Sequence, residues 1–204
     1  RISMWLWIGL LALLVSACVG GGSRNASPSV VYDFGLPATR LVGEDNWPGL
    51  ALEVRSPVWF ESLNVDYRLA YDDPLRHREY ALSRWAGPPS ALLTQGLKQQ
   101  LGTVNAGGSP AANCLLRVEL QEFSQVFDSP QSSRGVLQAS VSLIDAQGQV
   151  IQELQVAIER PAPTADAQGG VNALVAAGTE LGQQLVDWLA SLENDNAIAG
   201  CRSR

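Results

Sequence analysis

At 204 residues with 46% apolar side chains, the chain is long enough for one domain with a real core and too short for two comfortable ones. Its net charge is -6 and its basic residues are scattered singly, which excludes the clustered cationic stripes that bind nucleic acid. After residue 18 no run of eighteen apolar residues occurs, so no mature transmembrane helix is readable and any membrane attachment must have another source.

The first element is a leader. Trp5 to Ala17 reads as thirteen uncharged residues, about 20 Å as a helix against a hydrocarbon core of about 30 Å, which is too short to span. Ahead of it stands a single basic residue, Arg1, and behind it the small pair Ser16-Ala17 marks a cleavage site. Residues 1–17 are therefore expected to be a lipoprotein signal peptide. Val15-Ser16-Ala17-Cys18 resembles a lipobox. The Cys18 thiol would form the thioether to a diacylglyceryl group, and two or more acyl chains make attachment durable where one would not. The alternative is a plain secretory leader whose small residues happen to precede a cysteine. Residues 18–29 then read as a lipidated cysteine and a Gly/Ser-rich tether, holding the rest of the chain about 15–20 Å from the lipid. Val19, and not aspartate, follows the cysteine, which favours the periplasmic face of the outer membrane over retention at the inner one.

Residues 30–204 read as one α+β domain. Val30 to Phe34 is a short β-prone run closed by Gly35 and Pro37, and Leu50, Leu52 and Val54 alternate with Ala51 and Glu53. Val65, Tyr67, Leu69 and Tyr71 alternate with polar or small residues, predicting a strand with a buried aromatic face. A turn at Asp72-Asp73-Pro74 and a return strand from His77 to Trp85 follow. Pro88-Pro89 suits a helix start, Leu93, Leu97 and Leu101 form its stripe, and Gly102 is placed to end it. Residues 105–113 read as a loop.

Alternation is clearest over Leu116 to Leu120, Leu137 to Leu143 and Leu154 to Ile158, predicting three antiparallel strands with one wet face. Gly148 suits the left-handed position of the second hairpin, and the phase slips near Phe123 to Phe127, suggesting a bulge or a strand end. After Pro161 to Pro163, residues 166–192 carry one helical stripe, read as packing on the domain's own sheet. The expected fold is an antiparallel meander packed by two helices.

With Cys18 lipidated, Cys114 and Cys201 remain in an oxidising compartment, and a disulfide between them is expected; two unrelated thiols are the competing reading. The sequence contains no H-E-x-x-H, C-x-x-C, G-x-S-x-G, phosphate-loop or dinucleotide-binding motif. His77, the one histidine, lies between Arg76 and Arg78 and reads as a solvated hairpin residue in preference to a catalytic one. No catalytic residue, metal site or cofactor is expected, and the chain reads as a non-enzyme.

Tyr80-Ala81-Leu82-Ser83-Arg84-Trp85-Ala86-Gly87-Pro88-Pro89 followed by Leu92-Leu93 resembles the Y-x-x-x-R-W-x-x-P-P-x-x-L-L signature of the ABC-type transport auxiliary lipoproteins, also known as paraquat-inducible or membrane-integrity-associated transporter subunits. Tyr32-Asp33-Phe34-Gly35 resembles their opening strand, and the section from Val118 to Asp145 their meander. Gly87 departs from the acidic residue expected in many relatives. The resemblance implies a non-catalytic outer-membrane component of an MCE-type (mammalian-cell-entry) lipid transport system. Its partners would be an MCE-domain protein spanning the periplasm and an inner-membrane permease with its ATPase, and a ring-like partner would also suit a homo-oligomer. A lipoprotein supporting assembly of an outer-membrane β-barrel or the cell wall is the alternative. Two roles compete for Arg84 and Trp85: contact with the partner, since both residue types anchor interfaces, or closure of the strand-to-helix corner over the core.

Overall fold

Strict alternation makes the second half of the chain a sheet with one wet face, and the helical stripe after it supplies the cover. The computed structural model describes residues 28–36, 39–41, 47, 49–103, 105–106 and 112–202; the leader, Cys18 and all but the last two tether residues lie outside the described residues. In chain order the elements are β1 (Val30–Tyr32), β2 (Leu50–Arg55), β3 (Asn64–Leu69), β4 (Asp73–Trp85), α1 (Pro89–Leu101), β5 (Asn105–Ala106), β6 (Cys114–Ser129), β7 (Ser132–Asp145), β8 (Val150–Pro161) and α2 (Ala167–Ser191).

The meander β6-β7-β8 is antiparallel, with Leu116 opposite Leu143, Val118 opposite Val141 and Leu137 opposite Ile158. These residues bury their side chains against Leu174, Leu181, Leu185 and Leu189 of α2 and Leu93 and Leu97 of α1 in one core. Gly148 takes the left-handed conformation at φ +79° and donates its N–H to the Asp145 carbonyl, closing the β7–β8 hairpin. The phase slip has its cause in a bulge between Leu120 and Glu122, after which β6 continues to Ser129.

Around the meander the sheet is mixed, where alternation had suggested antiparallel pairing throughout. The free edge of β6 is shared: β2 runs parallel to its first half, Leu50 beside Cys114 through Arg55 beside Glu119, and β3 runs parallel to its second half, Tyr67 beside Gln125. β4 lies antiparallel on β3, β1 parallel on β4, and β5 adds a two-residue parallel pair to β2 inside the stretch expected as loop. Alternation reports which face a side chain occupies; strand direction depends on partners far along the chain.

Local signals set the element ends. Pro88 caps α1, Pro89 occupies its first turn without wasting a donor, and Gly102 ends it at φ +63°. Asp166 caps α2 by accepting the Gly169 N–H at 2.8 Å. The β3–β4 turn falls at 70–72, two residues earlier than expected, because Ala70 donates to the Phe127 carbonyl and Asp72 pairs with Arg78; Tyr71 is thereby turned outward and Asp73 and Pro74 open β4. At the C-terminal end the 3-10 turn Asn196–Arg202 buries Ile198, and Cys201 is joined by a disulfide to Cys114, Cα atoms 5.1 Å apart.

Candidate functional site

The R-W-x-x-P-P segment occupies the corner where β4 passes into α1. Trp85 is 1% exposed: its N–H donates to the Leu63 carbonyl at 2.7 Å, and its ring meets Phe34 edge-on at 5.9 Å and Phe123 at 5.8 Å. The ring seals the corner over the core and has no surface to offer a partner. Arg84 points the other way, being exposed and without a carboxylate partner among the described residues. Val31 of β1 lies beside it on one side and Asn64 of β3 on the other. At Gly87 an added Cβ would come no nearer than 3.8 Å to Leu92, so the acidic side chain expected there has room.

The chain after β1 wedges Phe34 between the two helices. It fits because Gly178 of α2 has no side chain: a Cβ there would lie 3.1 Å from the Phe34 ring and 3.2 Å from Leu93. Between Phe34, Leu36, α1 and α2 remains a slot of about 100 Å³, below the ~300–1,000 Å³ of ordinary ligand pockets. A more open hollow of about 330 Å³ adjoins it along Val31, Tyr32 and Asp33 and the α2 residues Val171, Asn172 and Val175.

On the helix-free face, charges are paired. Arg117 and Arg55 each hold Glu53 at 2.9 Å; burial works against its ionisation, but the two guanidinium groups outweigh it and keep the carboxyl below its usual value. Arg68 pairs with Glu122 at 3.2 Å. Asp66 is buried, with a side chain 4% exposed, one oxygen 3.3 Å from His77 Nε2 and the other without a hydrogen-bond partner among the described residues. Burial pushes its pKa up to about 6 against the pull of His77, with Glu79 adding to the rise. His77 is thus tied to β3 as a partner of that carboxylate. No group of three His, Cys, Asp or Glu side chains among the described residues could hold a metal ion.

Among the apolar side chains open to solvent, two share one short turn. A 3-10 turn, Val58–Phe60, bridges β2 and β3 past the unpaired stretch of β6; Phe60 is buried, and Val58 and Trp59 are 86% and 72% exposed. The sequence reading did not single them out, since three residues of turn carry no period. What stays open to a partner is therefore Arg84 at the corner and Trp59 in the β2–β3 connection, and not the Arg84-Trp85 pair.

An α+β domain whose mixed sheet carries both helices in one core is the fold class here, and the described residues contain no helix long and apolar enough to cross a membrane. The same fold occurs in the crystal structure of protein XCC0632 from Xanthomonas campestris, at TM-score 0.67 and 17% identity over 81% of this chain and 98% of that one. A second crystal structure, of an uncharacterized protein, matches at TM-score 0.61 and 16% identity over 79% of this chain and 99% of that one. No curated protein matches significantly. The family model of the ABC-type transport auxiliary lipoprotein component matches residues 46–186, well over half the chain, and the chain belongs to that family. It is accordingly an auxiliary lipoprotein of an ABC-type transport system.

Proposed function

We propose that the protein is the non-catalytic docking subunit of an MCE-type intermembrane phospholipid transport system, held at the periplasmic face of the outer membrane by acylated Cys18. The carrying observation is the family match, which runs from ahead of β2 into α2 and so covers nearly the whole sheet. The lipobox at Cys18 supplies the anchor, and a tether of about a dozen residues sets the domain's distance from the lipid. The partners on this reading are an MCE-domain protein and its permease and ATPase. The domain's contribution on this reading is binding, with Arg84 at the corner and Val58 and Trp59 in the β2–β3 connection exposed to solvent.

Affinity capture of the full-length protein from detergent-solubilised membranes tests the partner. An MCE-domain protein is the expected companion; reproducible capture without one, or with a β-barrel or peptidoglycan in its place, overturns the reading. Fractionation of Cys18→Ser with labelled palmitate tests the anchor separately. The variant should lose both label and membrane association, and unchanged behaviour defeats the anchor.

A further inference from the structure

The tether joins the domain at a particular place. Val30, its first strand residue, lies beside Ser83, Val31 lies beside Arg84, and Arg84 lies in turn beside Asn64. Neighbouring strands are about 4.8 Å apart, so the point where the tether arrives is about 10 Å from the root of the β2–β3 connection. Exposed apolar side chains stand in that neighbourhood beside the Asn64–Glu79 hydrogen bond. Val31 and Leu82, on the face of Arg84, are each 53% exposed, Val30 on the opposite face is 51% exposed, and the connection carries Val58 and Trp59. Buried Phe60 roots the turn, so the two exposed side chains beside it are held outward on a fixed base.

Eleven residues lie between Cys18 and Val30, which stand twelve positions apart. As a flexible chain they span about 17–21 Å root-mean-square, and about 40 Å fully extended. An acylated Cys18 would therefore hold this patch close to the bilayer at all times, and a surface too weak to bind lipid alone would bind it once tethered. The composition suits that neighbour: an indole favours the headgroup boundary, and the Arg84 guanidinium has no carboxylate partner among the described residues and matches a phosphate in geometry. We infer that Val58, Trp59 and the apolar residues around the tether's arrival rest on the phospholipid surface of the anchoring membrane, with Arg84 against lipid phosphate. The inference rests on the acylation proposed above. It adds an orientation: the corner faces the bilayer, and the far end of the meander is turned toward the periplasm.

The test uses the mature lipidated protein reconstituted in phosphatidylethanolamine–phosphatidylglycerol vesicles containing lipid brominated near the headgroup end of its acyl chains. Flotation with the vesicles reads the anchor. Quenching of tryptophan emission, wild type minus Trp59→Phe, reads the patch. Expected is a Trp59 component that is quenched and blue-shifted, and that weakens in Arg84→Glu when the vesicles are anionic and the salt is low. Protein that floats with a Trp59 component no different from that in bromine-free vesicles overturns the inference while leaving the anchor intact, and assigns the exposed turn to a protein partner. Protein that does not float defeats the anchor and this orientation together.

Discussion

Asp66 is the residue whose chemistry departs furthest from its surroundings, and the departure has a definite sign. Burial raises its pKa to about 6 from an ordinary 3.8, so the folded chain holds this proton more tightly than the unfolded one. Stability from this group is full below about pH 4 and is lost as pH rises through about 6. Asp66→Asn keeps a polar partner for His77 without the buried charge. It should flatten stability against pH between 4 and 7 and match or exceed wild type at pH 7, by roughly 1–2 kcal/mol after allowing for the His77 contact. Urea unfolding at pH 5 and pH 7 reads this, and a variant that is less stable at pH 7 than at pH 5 by the same margin as wild type refutes it. None of this was legible in the sequence, because burial of a carboxylate depends on three strands meeting. Gly102 and Gly148 were legible, since a left-handed turn selects glycine locally. Trp85 and Trp59 show the limit: the first seals the core and the second faces solvent, and only the tertiary neighbours separate them.

At the scale of elements, the close approach of α2 to β7 turns on Gly135. A Cβ there would stand 2.8 Å from the backbone carbonyl carbon of Ala173 and from the amide nitrogen of Leu174, both parts of a rigid helix wall. Gly135→Ala should therefore cost about 1–3 kcal/mol through overpacking, despite alanine's better fit to a strand. The urea midpoint should fall with the slope unchanged, and a neutral or stabilising result would mean that α2 can slide. Both helices and all three meander strands were readable because each carries an uninterrupted period. The parallel partners β2 and β3 were readable as strands but not as neighbours of β6, for the pattern in Leu50 to Val54 records burial without naming what lies alongside. Their arrangement leaves β6 and β7 as the strands, among the described residues, paired along both edges for most of their length, whereas β8 has only β7 and the stretch of β4 ahead of Ser83 has only β3. Native-state hydrogen exchange should accordingly find the slowest amides in β6 and β7, with residues 73–82 exchanging through smaller local openings. Uniform protection across the sheet would contradict this.

For the whole molecule, the question is what ties the two ends of the core together. The chain leaves α2 at Ser191 on the side of β8, and the turn that follows must return across the sheet to reach β6. It does so by burying Ile198, by the Gln152 amide donating to Asp195, and by the Cys114–Cys201 disulfide, whose partners are 87 residues apart in sequence. That loop encloses the rest of the meander and all of α2, so the bridge restricts the unfolded chain over nearly half its length. On chain-entropy grounds a closure of this size is worth about 4 kcal/mol. The cysteine pair was expected from the count and an oxidising compartment, with two unrelated thiols as the competing reading, whereas the burial of Ile198 in the tail was not expected. Replacing both cysteines by serine should lower unfolding stability by at least about 4 kcal/mol, since the chain closure is lost and both positions, which belong to the buried core cluster, then carry hydroxyls. Ile198→Ala in the oxidised protein should cost less, about 2–3 kcal/mol, because the bridge still holds the turn in place. If the two losses simply add in the triple variant, bridge and side chain act independently. A triple variant no worse than the serine pair would mean that Ile198 docks only because the disulfide places it there, and the short, polar approach from α2 favours that outcome: without the bridge, ordering ten residues for one buried isoleucine is an unfavourable exchange.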